Sequence, residues 1–146
     1  GKAKDNNAST AIGPLIRLFD SSFTLDHVRK LDLSLTVEGA DGFRLDGHSS
    51  IAEISRDPAD IVGQAINAHH CYPDGLVVYL GTMFAPVKDR GEQGRGFTHQ
   101  LGDLVTIATP ALGALVNRVV HTDTAAPWVF GAAELMRNLA RRGLLR

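Results

Sequence analysis

Cysteine is almost missing from this chain. Cys71 is the only one in 146 residues, which excludes an intrachain disulfide framework and a cysteine zinc cluster, and a lone thiol fits a reducing compartment. No apolar run approaches the roughly 20 residues needed to span a bilayer, so no membrane partner is expected. The opening Gly1-Lys2-Ala3-Lys4-Asp5-Asn6-Asn7 lacks the apolar centre of a signal peptide. Together these absences lead to a cytoplasmic expectation. That opening also has no Met and reads like the middle of a loop, so the chain is expected to be truncated at its N-terminus.

Charge of one sign is also lacking. Fifteen Lys and Arg face sixteen Asp and Glu, for a net charge of −1, and the basic residues are scattered except for Arg137, Arg141, Arg142 and Arg146. Nucleic acid is therefore not an expected partner. The arginine cluster falls in the last turns of an expected helix, where cations suit the negative end of the dipole, and it is assigned no function.

Several chemical signatures are missing as well. There is no Gly-x-Ser-x-Gly elbow, no Walker loop and no His-x-x-x-His spacing. His69 and His70 are adjacent, and neighbours on a helix point about 100° apart, a poor arrangement for chelating one ion. His48, His99 and His121 stand alone among turn or strand-end residues and read as solvated loop histidines. Gly91, Gly94 and Gly96 do not sit between a strand and a helix, so they read as loop relaxation rather than a phosphate cradle.

What is present suits one globular domain over residues 1–146. A hydrophobic fraction of 44% with 21% charged residues lies near globular averages, and a chain of this length can bury a core. Residues 13–19 read as a short apolar strand. Residues 31–38 alternate Leu31, Leu33, Leu35, Val37 with Asp32, Ser34, Thr36, Glu38, the period of a half-buried strand. The turn residues 38–42 then lead into Phe43-Arg44-Leu45 as the returning arm of a hairpin. Asp57-Pro58 matches an N-cap with proline at the first helical position, and Ile61, Val62, Ala65, Ile66 and His69 form a stripe that predicts a helix ending near His70.

Further along, Pro73-Asp74-Gly75 turns into residues 76–80, a continuous apolar run that reads as a strand buried on both faces. Residues 86–102 read as an exposed charged loop. Residues 104–108 and 115–120 predict two strands joined by a turn at 110–113, and Pro127 is expected to open an amphipathic helix through Ala132, Leu135, Met136 and Leu139 that closes near Gly143. The order lacks regular strand-helix alternation, so the expected class is α+β and strand-dominated, with two main helices. Two places invite chemistry: Gly81-Thr82, where a hydroxyl and strand-end amides suit a carboxylate, and the donor-rich stretch from Lys4 to Thr10. Composition alone favours a solvated loop for the second.

Four blocks together resemble a known family: Ala11-Ile12-Gly13-Pro14 after a lysine, Gly75-Leu76-Val77-Val78-Tyr79-Leu80-Gly81-Thr82, Leu101-Gly102-Asp103-Leu104-Val105-Thr106, and Leu112-Gly113-Ala114-Leu115-Val116-Asn117-Arg118-Val119. In this order they are similar to the C-terminal part of the fumarylacetoacetate hydrolase family. The wording of Gly1 to Ser9, of Gly81-Thr82-Met83-Phe84-Ala85-Pro86, and of Ala132 to Leu145 is closest to its 2-keto-3-deoxy sugar acid dehydratase branch. The resemblance implies a mixed, rolled β-structure, a homodimer, a small 2-oxo acid as substrate, and Mg2+ acting as a Lewis acid that stabilises an enolate. It implies that Lys4 lies against the substrate as a catalytic residue, with Lys2 the competing register. It also implies that Gly81 and Thr82 grip the substrate carboxylate, while Met83 and Phe84 form an apolar lip.

The family's metal ligands are a Glu-x-Glu pair and a later Asp, upstream of the lysine. The first fifty residues here offer only Asp5, Asp20, Asp26, Asp32, Glu38, Asp41 and Asp46, none in that pattern, so no metal ligand is expected in this chain and Mg2+ is expected only for a complete enzyme. The activities that follow from the resemblance are a lyase reaction, dehydration of a 2-keto-3-deoxy sugar acid, or a hydrolase reaction, cleavage of an acylpyruvate carbon–carbon bond. The alternative from another class is a catalytically incomplete fragment with a structural or self-association role.

Overall fold

The computed structural model describes residues 7–81 and 84–145. Its contacts fall into two units, Gly13–Val119 and the described residues on either side of that range. In the larger unit, helix α1 (Leu25–Val28) leads into strands β1 (Asp32–Glu38) and β2 (Arg44–Ser50). A single 3-10 turn at Ile51–Glu53, helix α2 (Pro58–Ala65) and strands β3 (Leu104–Thr109) and β4 (Gly113–Arg118) follow. The strands form one sheet in the order β2-β1-β3-β4, antiparallel at every pairing. The outer unit holds helix α3 (Ala132–Arg141). The class is therefore α+β, with a four-stranded antiparallel sheet and three α-helices among the described residues.

The alternation in residues 31–38 fixes the register. Leu33 lies opposite Ser49, Leu35 opposite Gly47 and Ile107, and Val37 opposite Leu45 and Val105. Because opposed residues share a face, these side chains make one apolar surface. Its centre is closed, with Val37 at 0% and Leu45 at 3% exposure, and full burial of each contributes about 1.5–3 kcal/mol. On the opposite face Arg44 donates to Glu38 at 2.9 Å and to Asp46 at 2.8 Å, a ladder of exposed ion pairs that contributes little to stability.

The cap expected at Asp57 is present: its carboxylate accepts from the Ala59 amide at 2.8 Å, with Pro58 in the first turn. Arg29, just beyond α1, donates to the same carboxylate at 2.5 Å, tying the two helices together. The helix does not reach His70. It stops at Ala65 because Asn67 takes over locally, its side-chain oxygen accepting from the His69 amide at 2.9 Å while its backbone pairs with His70.

Other expectations are corrected. Residues 13–19 and 76–80 form no strand; a strand needs a partner ladder, and in neither segment does a neighbouring chain supply one. Leu15 and Ile16 are 89% and 83% exposed, and Val77 is 68% exposed rather than buried on both faces. The last helix begins at Ala132, not Pro127. Trp128 donates its indole N–H to the Phe130 carbonyl at 2.7 Å, engaging the acceptor that a helix begun at Pro127 would use for Glu134. The end near Gly143 is observed, with the Leu144 amide bonded to the Leu139 carbonyl at 3.0 Å.

Residues 86–102 have no regular structure, as expected, yet they are not simply exposed. Arg90 reaches under the β1–β2 turn and donates to both oxygens of Asp103, at 2.5 and 2.9 Å, and to Asp41 at 3.0 Å. The Arg90 and Asp103 side chains are 3% and 1% exposed. The guanidinium also lies 4.5 Å over the Phe43 ring. Asp103 accepts a further bond from the Gln100 amide at 2.9 Å, and its own backbone pairs with Val119. Gly39 leaves the room for this cluster, since a Cβ there would come within 2.4 Å of Arg90 Nη2.

The hydrogen bonds from Arg90, helped by the Gln100 amide, outweigh desolvation and pull the Asp103 carboxyl down to about 2 from an ordinary 3.8. A depressed carboxyl stabilises the fold above its unfolded value and loses that contribution as pH falls through its folded value. Acid titration should thus show stability declining between about pH 4 and pH 2. Asp103→Asn leaves Arg90 buried without its partner and should cost roughly 3 kcal/mol in urea unfolding at neutral pH, while flattening that acid limb. An unchanged unfolding midpoint would remove the ion pair from this role.

Candidate functional site

Two cavities border the larger unit's sheet. The first, about 580 Å3, lies between the end of β2 and the start of α2 and is bounded by Leu80. The second, about 220 Å3, lies over the apolar face and is lined mainly by Leu33, Leu35, Phe84 and Ile107, with Gly81 at its edge. They share His48 and Ser49. Described residues beyond 75 therefore help to wall both, Leu80 in one and Gly81 and Phe84 in the other.

Phe84 holds its place through the absence of a side chain opposite. Its ring sits where a Cβ on Gly47 would lie, with closest approaches of 2.6 to 2.9 Å. Gly47 is thus the hole in the apolar face that Phe84 fills. Close by, Ser49 Oγ is buried and finds no hydrogen-bond partner among the described residues, an arrangement that costs about 1–3 kcal/mol unless a ligand or water completes it.

Of the residues singled out from the sequence, Gly81 and Phe84 both border the second cavity. Lys4, Thr82 and Met83 lie outside the described residues. His48 is not a loop histidine: it lies within β2 opposite Ser34, with Nε2 3.8 Å from Asp32. Its strand neighbours Gly47 and Ser49 gave a turn-like signal that concealed it. His99 stands 3.6 Å from the buried Asp103 and edge-on to Phe97 at 4.8 Å, while His69, His70 and His121 are exposed. Arg56 went unremarked in the sequence; it lines the first cavity together with Glu53.

Among the described residues, no group of three or more His, Cys, Asp or Glu side chains converges as a metal site would. No helix among them is long and apolar enough to cross a membrane. Compared with known proteins, the chain matches no family model, no curated protein and no solved structure.

The packing at Gly47 yields a direct test. Gly47→Val should displace Phe84, open the apolar face and raise binding of a hydrophobic dye, with a loss of about 1–3 kcal/mol in unfolding free energy. Wild-type dye binding and stability in this variant would mean that Phe84 does not occupy the glycine hole.

Proposed function

We propose that this chain is the substrate-side part of a 2-oxo acid enzyme of the fumarylacetoacetate hydrolase type, built on that family's rolled β-structure and closest to its 2-keto-3-deoxy sugar acid dehydratases. One observation carries the reading. Gly81, which the resemblance assigns to substrate contact, borders the smaller of the two cavities beside the sheet. Gly81 and Thr82 would hold the substrate carboxylate through amide and hydroxyl donors, Lys4 would lie against the reacting end, and Phe84 would shield that end from water.

The described acids do not fit a hard cation, since no three potential ligands among the described residues come together. On this reading the ligands for Mg2+ and the general base come from protein outside the described residues. The reaction class is loss of the C3 proton and C4 hydroxyl of a 2-keto-3-deoxy sugar acid, giving a 2-oxo acid semialdehyde. A second reading, cleavage of an acylpyruvate carbon–carbon bond, is favoured by the apolar lining of the smaller cavity, which suits an acyl group better than a hydroxylated chain.

Exposed apolar surface supports an assembled state. The chain exposes 11544 Å2, whereas a folded monomer of 146 residues exposes about 7,300 Å2, and about 8,600 Å2 if the two units are counted as separate bodies. Leu15, Ile16, Val87 and Trp128 are each more than three-quarters exposed. Surface of this kind calls for covering protein, and a homodimer in the cytoplasm is the form proposed. Taken alone, the same surface is what a catalytically incomplete, self-associating fragment would display.

Titration calorimetry of the chain with pyruvate tests the reading. Weak, millimolar binding is expected, not strengthened by Mg2+, and weakened about tenfold by Thr82→Val or Lys4→Met, as loss of one hydrogen bond to a charged group implies. Absence of any pyruvate binding would overturn it.

A further inference from the structure

The sheet has two edges, β2 and β4, and they are defended differently. An edge strand offers unpaired backbone groups to any strand that meets it, and charge along the edge is a usual protection. Strand β2 carries Arg44, Asp46 and His48, and the Lys88 ammonium closes on the Arg44 carbonyl. Strand β4 has no proline and one charged residue, Arg118, at its end. Even that charge is turned away from the edge, with Arg118 Nη1 donating to the Gly102 carbonyl at 2.9 Å.

Val119, just past β4, donates its N–H to the Asp103 carbonyl and accepts from the Gly102 amide. Inward and outward backbone groups alternate along an antiparallel strand, so those of Ala114, Val116 and Arg118 point away from β3. Among the described residues, no backbone bond from outside the sheet engages them. The apolar side chains along this edge are exposed and evenly placed: Val116 at 52%, with Leu112 and Val120, four residues to either side, at 53% and 48%. We infer that β4 is a self-pairing edge, through which two copies of this chain join antiparallel about a two-fold axis at Val116. In that register the two Val116 residues exchange both N–H···O bonds, Ala114 meets the partner's Arg118, and Leu112 meets the partner's Val120. No like charges oppose each other, and a two-fold contact requires a self-complementary surface of this kind. The surplus of exposed surface, roughly 2,900 Å2 even with the two units counted separately, exceeds the about 800 Å2 that each partner gives to a standard interface. The inference rests on the homodimer proposed above and names its surface.

Sedimentation velocity and amide hydrogen exchange test it on the chain as it stands. The wild-type chain should dimerise in the micromolar range, and protection at the amides of Ala114, Val116 and Arg118 should rise with concentration. Val116→Pro removes an N–H that β3 does not use, so the two bonds exchanged at the axis are lost and the dimer should weaken roughly thirtyfold. Val116→Lys sets like charges against each other at the axis. It should weaken the dimer at low salt and recover part of the loss at high salt, a response that a misfolded variant would not give. A wild-type chain that stays monomeric would overturn this inference and the homodimer together, leaving the 2-oxo acid reading to its own pyruvate titration. A dimer of unchanged strength in Val116→Lys, or one with no concentration-dependent protection in β4, would overturn the β4 pairing alone.

Discussion

The buried contact between Arg90 and Asp103 constrains everything built around the sheet. It joins a segment without regular structure to the strand that follows it, and through Asp41 and Phe43 it reaches the β1–β2 turn. Taking two charges out of water is costly, and the cost is offset only when geometry and extra donors satisfy the groups. Here the fork of Arg90 meets both oxygens of Asp103, the Gln100 amide adds a third bond, and an aromatic face covers the cation. In a unit where few apolar side chains among the described residues are buried, chiefly Phe23, Val37, Leu45 and Ile51, such a clamp carries an unusual share of the specification of structure.

The clamp matters for the cavities because of where it falls in the chain. Arg90 follows Phe84 by six residues, and Lys88 between them donates to the Arg44 carbonyl while lying 5.0 Å over Phe43. Asp89 closes the other side of the loop by accepting from the amides of Gly94 and Gly96, at 2.8 and 2.7 Å. Side-chain links thus do for residues 84–103 what a ladder of backbone bonds does for a strand. They hold Phe84 in the Gly47 hole, and with it the wall that Leu80 and Gly81 present to the two cavities.

Part of this was legible in the residues. The hairpin of β1 and β2 and the β3–β4 turn follow from period-two alternation and turn chemistry, both local signals. Asp57-Pro58 announced a helix for equally local reasons, although Asn67 ended it early. Residues 13–19 and 76–80 carry strong strand composition, but strand formation is a property of pairs, and their apolar side chains remain exposed. Arg90 and Asp103 are thirteen residues apart in a polar stretch and nothing in their spacing marks them as partners. Of the residues that line the cavities, Gly81 and Phe84 are among those the resemblance names, whereas His48, Ser49 and Arg56 come to one cavity only through tertiary packing.

Amide hydrogen exchange on the wild-type chain and on Asp103→Asn tests the clamp most directly. If the account is right, the variant loses protection at the amides of Arg90, Gly94, Gly96 and Gln100, while the paired amides of β1 and β2 keep theirs. Unaltered protection across residues 84–103 would show that the segment is held by something other than Arg90 and Asp103, and would contradict the account.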